Sequence, residues 1–222
     1  MSREFELIDV CHTVEHGMVT YKGLPAPVIS DFLSRKDSAT RYAPGTEFHI
    51  GRIEMVANTG TYLDSPFHRY ERGKDLASLD LYSLANLDGV VVRCIGRTEI
   101  TEDEFREIDV NGKAVLVHTG WDRHWRTEEY ANGNHPYLTE AAATYLAKNS
   151  AVLVGIDSFN IDATRDGNRP AHSVLLGHDI PIVEHLCGLS DLPDTGFKFF
   201  AVPVKVRNFG TFPVRAFGLV SG

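Results

Sequence analysis

Short runs of β-branched and aliphatic residues punctuate this chain, separated by segments with helical or turn character. Ile53 to Ala57, Gly89 to Cys94, Ala114 to His118, Ala151 to Ile156 and Phe197 to Val206 each read as a strand, because Val and Ile favour a pleated, half-buried surface. Ala114 to His118 and Ala151 to Ile156 are nearly continuous in apolar residues. Such runs suit strands covered on both faces, as in the parallel core of an α/β layer. Helices are predicted between them. Thr101 to Ile108 opens with a capping box, since Glu104 follows Thr101 by three residues and its carboxylate can reach back to the cap N–H. Thr139 to Lys148 has Thr139 as N-cap and an alanine-rich interior. The first third differs, with Gly23, Pro25, Pro27, Pro44 and Gly45 breaking any helical period. The mixture predicts an α/β fold with an additional β layer. No repeat or Ser/Gly-rich linker divides residues 1–222, so a single domain is expected.

Composition narrows the function classes. The 222 residues are 43% hydrophobic and 23% charged, enough to bury one substantial core. A formal net charge of −8 argues against nucleic acid as partner, because phosphate contacts need a basic surplus. A small-molecule substrate is the better expectation. No signal-like N-terminal run and no stretch of about 18 apolar residues is visible, so no membrane partner and a cytoplasmic location are expected. Cys11, Cys94 and Cys187 are scattered and odd in number, which reads as reduced thiols.

The densest chemistry lies in N-T-G-T-Y-L-D-S-P-F-H, Asn58 to His68. Were the run from Ile53 to continue as a strand, Asn58, Gly60, Tyr62 and Asp64 would share one face, with Pro66 ending the ladder. On spacing alone, an Asp before Ser-Pro equally caps a turn. His172 precedes a short apolar, helix-like run, and Glu184 follows Ile180 to Val183, the strand-end position at which active-site residues gather. A helix-start His and a surface Glu are the plain alternatives.

These segments together resemble the cyclase family, which includes bacterial kynurenine formamidases and isatin hydrolases. Asn58 to His68 is similar to that family's signature, H-x-G-T-H-x-D-x-P-x-H. Supporting stretches are L-I-D-V-C-H-T-V-E-H-G-M, V-L-V-H-T-G-W-D, H-P-Y-L-T-E-A-A, V-G-I-D-S-F-N-I-D, the His172 and Glu184 pair, and V-P-V-K-V with the later P-V-R-A. The resemblance implies a swivelling β/β/α fold assembled as a homodimer or homotetramer, with zinc or manganese bound. It implies a first metal held by two signature histidines and the Asp, and a second held by that Asp with the later His and Glu. The last signature histidine, here His68, would serve as general acid and base. His12 and His16 fall in the opening motif, and Tyr21 where relatives have an aromatic substrate contact.

Two signature histidines are replaced, by Asn58 and Tyr62. Neither an amide nor a neutral phenol is a good ligand for a transition metal, so the first site is expected to be lost. The remaining set, Asp64, His172 and Glu184, suffices for one catalytic zinc or manganese. It could instead form a metal-free, proton-sharing cluster, which is the favoured expectation. In that metal-free case His68 and Tyr62 are the proton donors and acceptors, and Tyr62 could also merely donate to substrate or fill space.

Asn58, Tyr21, Trp121 and Phe159 are candidate substrate contacts, although packing accounts for the last two nearly as well. Asp157 could face the pocket or cap its loop. His49, His118, His124 and His178 read as ordinary histidines. The expected activity is attack on an amide, lactam or lactone carbonyl of a small cyclic or aromatic substrate, by hydrolysis or the reverse cyclisation. The alternatives are a metal-independent cyclase, dehydratase or isomerase using His68 and Tyr62, and a non-catalytic binding homologue.

Overall fold

Along the predicted strand Ala114 to His118, Val115 and Val117 face one apolar cluster and Ala114 and Leu116 another, and all four are fully buried. Only a strand covered on both sides does this. In the computed structural model, which describes residues 4–221, that strand is the middle of a larger sheet. The elements are β1 (Phe5–Asp9), β2 (Val28–Leu33), α1 (Arg35–Ser38), β3 (Ile50–Glu54), β4 (Tyr62–Asp64), β5 (Leu87–Arg93), β6 (Glu99–Ile100), β7 (Ala114–His118) and β8 (Tyr137–Leu138). They continue with α2 (Glu140–Lys148), β9 (Leu153–Ile156), α3 (Pro170–Gly177), β10 (Ile182–Glu184), β11 (Phe197–Phe200), β12 (Thr211–Pro213) and β13 (Phe217–Ser221).

Nine strands form one sheet, in the order β1-β13-β11-β5-β7-β9-β10-β4-β12. Its centre, β5-β7-β9-β10, is parallel. Helix α2 crosses from β7 to β9 and α3 from β9 to β10, and both cover one face through Ala143, Leu146, Leu175 and Leu176. The other face packs Leu116, Val183 and Leu63 against Phe197 and Phe199. The additional β structure is a ribbon of β2 with β3 and a small pair of β6 with β8. Among the described residues no helix is long and apolar enough to cross a membrane.

Several predicted bounds shift. The strand expected over Ile53 to Ala57 is β3, Ile50–Glu54, and it does not continue into the signature. Between it and β4, Gly60 takes a left-handed φ of 66°, and a Cβ there would stand 3.1 Å from Val14 Cγ2. Asn58 therefore does not share a ladder face with Tyr62 and Asp64, which alone lie in β4. The run Phe197 to Val206 ends as a strand at Phe200, and Pro203 beyond it has no N–H for a ladder. Thr101 to Ile108 is a 3₁₀ turn, Glu102–Phe105, with its capping box formed. Thr139 caps α2 as predicted.

Candidate active site

Strand register assembles the site. Antiparallel pairing of β4 with β10 sets Tyr62 opposite Glu184, and pairing of β12 with β4 sets Thr211 opposite Asp64. His172 comes from the first turn of α3. No side chain of the cap residue Arg169 completes that helix start. Asp162 does so instead: Ala171 N donates to Oδ1 at 2.7 Å and His172 N to Oδ2 at 3.1 Å. The same Oδ2 lies 2.6 Å from His172 Nδ1. Nδ1 thus carries a proton toward Asp162, and Nε2 turns into the site.

His172 Nε2 stands 3.6 Å from Asp64 Oδ2 and 3.7 Å from Glu184 Oε1. All three residues are buried, and Asp64 Oδ2 has no hydrogen-bond partner. A closed hydrogen-bonded cluster would bring these atoms within about 3 Å of one another. Ligands of one zinc at its usual bond lengths stand about 3.4 Å apart at tetrahedral corners. The two carboxylate contacts of His172 Nε2 thus have the spacing of ligands on one divalent cation. Asp64, His172 and His68 also offer ligand atoms that all lie within 4.8 Å of one another, so Asp64 and His172 are common to two possible sets.

Thr211 separates those sets. Its hydroxyl donates to Asp64 Oδ1 and lies 2.8 Å from His68 Nδ1. With its single hydrogen directed to the carboxylate, Thr211 accepts from His68 Nδ1–H. That contact takes up His68 Nδ1, so Nε2 is the ring nitrogen left to exchange a proton with substrate.

Glu184 is held from several directions. Ile161 N donates to Oε1 at 2.6 Å, while Tyr62 Oη at 2.6 Å and Asn160 Nδ2 at 3.3 Å donate to Oε2. Burial raises the Glu184 carboxyl, His172 opposing this and Asp64 adding to it. Burial and then Glu184 raise the Tyr62 phenol far above its ordinary value, so Tyr62 is a hydrogen-bond donor here. Burial disfavours charge on His172, yet Glu184, Asp162 and Asp64 together bring its imidazole up to about 10.

A cavity of about 310 Å³ opens on this centre, lined among others by Tyr21, Asn58, Tyr62, His68, His172 and Glu184. Tyr21 Oη donates to Phe159 O at 2.9 Å, and their rings stand 4.6 Å apart. Phe159 thus backs a lining residue without lining the cavity. Trp121 does not line it either, its indole donating to Tyr130 O at 3.1 Å. Asp157 neither lines the cavity nor caps its own loop: it accepts from Thr119 N at 2.7 Å and Gly120 N at 2.8 Å and so holds the loop after β7. His12 stacks on Trp125 at 3.9 Å, and His16 accepts from Ile29 N. A larger cavity of about 480 Å³ beside Thr20, Lys22 and Arg126 contains none of the acid–base residues. Sequence reasoning missed Asp162, Asn160 and Thr211 as site residues, although the first two lie inside the V-G-I-D-S-F-N-I-D stretch.

The Cyclase family profile matches residues 8–163. The kynurenine formamidase of Geobacillus thermodenitrificans is 31% identical over 76% of this chain and 78% of its own. That of Bacillus cytotoxicus is 26% identical over 95% and 96%. Among solved structures, a potential metal-dependent hydrolase with cyclase activity superposes with TM-score 0.79 at 25% identity, covering 98% of this chain and 99% of that one. An isatin hydrolase bound to the product analogue thioisatinate shares the fold, with TM-score 0.83 at 23% identity over 99% and 94%.

Proposed function

Because the chain belongs to the cyclase family and is a hydrolase of that family, we infer that it hydrolyses the amide bond of a small aromatic or cyclic substrate, a formamide or lactam, with His68 as general acid and base. The observation that carries this reading is the placement of His172 Nε2 at 3.6 and 3.7 Å from two buried carboxylates, beside a cavity that His68 also lines.

Asp64 Oδ2, His172 Nε2 and Glu184 Oε1 would hold one zinc or manganese ion. Such an ion, when bound, polarises a carbonyl and acidifies water. The remaining chemistry belongs to the chain. His68 Nε2 removes a proton from the attacking water and returns it to the leaving nitrogen, so that amide and water become carboxylic acid and amine. Thr211 holds the ring in the required tautomer. Tyr62 occupies a signature histidine position, and its bond is to Glu184 Oε2, whereas Oε1, which accepts from Ile161 N, faces His172. Loss of the first metal site at Asn58 and Tyr62 belongs to the same proposal. Metal-independent proton transfer by His68 is the second reading, favoured by those two replacements.

Formate release from the N-formyl amide of kynurenine and ring opening of isatin test the activity. Turnover of either supports it; failure on both, with zinc and with manganese, refutes it. The proposal includes a cytoplasmic location, in keeping with three free thiols. It also includes a homodimer or homotetramer. Ribbon β2–β3 leaves Phe32 at 73% and Ile53 at 50% exposure, and a two-stranded ribbon alone is marginal in water, so a second copy is its cover. Light scattering giving a monomer mass contradicts that part.

A further inference from the structure

Two arginines border the cavity, Arg69 and Arg169. Arg69 follows His68 directly, and its Nε donates to Ser173 Oγ at 3.2 Å. Ser173 N in turn donates to the Arg169 carbonyl at 3.0 Å. The Arg69 side chain is therefore held at the N-terminal turn of α3, to which Arg169 belongs through its backbone. Neither forms an ion pair with a carboxylate among the described residues, whereas Arg93 and Arg106 elsewhere do. In a chain of net charge −8, acids are plentiful and these two cations are nevertheless without one.

Arg169 makes only long neutral contacts, 3.4 Å to Asn160 Oδ1 and 3.5 Å to Ala163 O. Its backbone is left-handed, with φ 50°, a conformation that is unfavourable for a non-glycine residue. Asn160 links it to the centre, since Asn160 Nδ2 donates to Glu184 Oε2 at 3.3 Å. The cavity is thus polarised along its depth. Its floor carries Glu184, with Asp64 buried behind, and its border carries guanidinium groups without a carboxylate partner. An anionic group on a bound molecule is repelled by the first and attracted by the second.

We propose that Arg69 and Arg169 form a carboxylate-recognition site, which selects substrates bearing an anionic group away from the scissile amide and turns their neutral acyl group toward His68. The proposal rests on the amide-hydrolase reading for its meaning in turnover. Its binding test stands without turnover.

The experiment is calorimetric titration of the intact protein with anthranilate and with anthranilamide, which differ in charge but hardly in shape. Wild type is expected to bind anthranilate at least about tenfold more tightly, the scale of charge-assisted, bidentate hydrogen bonding. Arg69→Gln and Arg169→Asn, the latter because Asn tolerates a left-handed backbone, should each reduce that preference and together abolish it. Affinity for anthranilamide should stay within about twofold, which shows that the cavity is intact. Equal affinity of wild type for the two compounds, binding of neither, or a preference that survives both substitutions overturns the proposal. A preference present in a protein that turns over no amide removes the hydrolase reading alone.

Discussion

Asp162 Oδ2 stands 2.6 Å from His172 Nδ1, so one carboxylate both caps α3 and fixes which ring nitrogen faces Asp64 and Glu184. In the cation-free protein, burial opposes charge on this ring, but Glu184, Asp162 and Asp64 outweigh it and lift the imidazole to about 10. A ring nitrogen must be proton-free to bind a metal, so binding expels a proton at any pH below that value. The affinity for zinc or manganese is expected to rise about tenfold per pH unit between about pH 6 and pH 9, one proton being displaced per ion. Calorimetry in buffers of differing ionisation enthalpy measures that proton, and a pH-independent affinity contradicts the arrangement.

The sign for stability runs the other way. The folded-state value of His172, about 10, lies above its ordinary value, so protonation of this ring stabilises the cation-free fold fully below about pH 6.5. That contribution is lost as pH rises toward 10. Removal of metal should therefore cost more thermal stability at pH 9 than at pH 6, as read by melting temperature.

Thr211→Val removes the acceptor for His68 Nδ1–H and the donor to Asp64. Turnover should fall about tenfold, a part of the ~10²–10⁴ that a positioned acid or base contributes. Thr211→Ser keeps the hydroxyl and should stay within about threefold. Nitrogen-15 chemical shifts should show the Nδ1–H tautomer of His68 in wild type and a mixture in the valine variant. Equal loss in both variants would make Thr211 a packing residue.

Gly210→Ala should displace His68. A Cβ at this position would lie 2.6 Å from both Cα and N of His68, a backbone contact that no rotamer change relieves. Overpacking of this kind costs about 1–3 kcal/mol, and turnover should fall while the circular dichroism spectrum is retained. An unchanged turnover would mean that His68 does not need its present position.

What the sequence disclosed follows from what is local. Ala114–His118 is apolar throughout because both faces of the strand are buried, and the caps Thr139 and Thr101 act within three residues. Asp64, His68, His172 and Glu184 stand out through motif order, but the register of β4 with β10 brings together only Asp64 and Glu184, and His172 arrives on α3 and His68 on the turn after β4. Thr211 lies 147 positions from Asp64, and only the placement of β12 beside β4 at the sheet edge joins them. Asp162 was visible within a motif, but its double task depends on the angle at which α3 starts. Trp121 is a candidate pocket wall in the sequence, but packing takes it instead, its indole N–H donating to Tyr130 O.

The most direct measurement is anomalous diffraction at the manganese edge from crystals grown with manganese. A single peak within about 2.0–2.2 Å of Asp64 Oδ2, His172 Nε2 and Glu184 Oε1, the usual range for such ligands, and lost in His172→Ala, is the predicted result. No peak at saturating manganese, or a peak bound through Asn58 or Tyr62, contradicts a centre organised around His172.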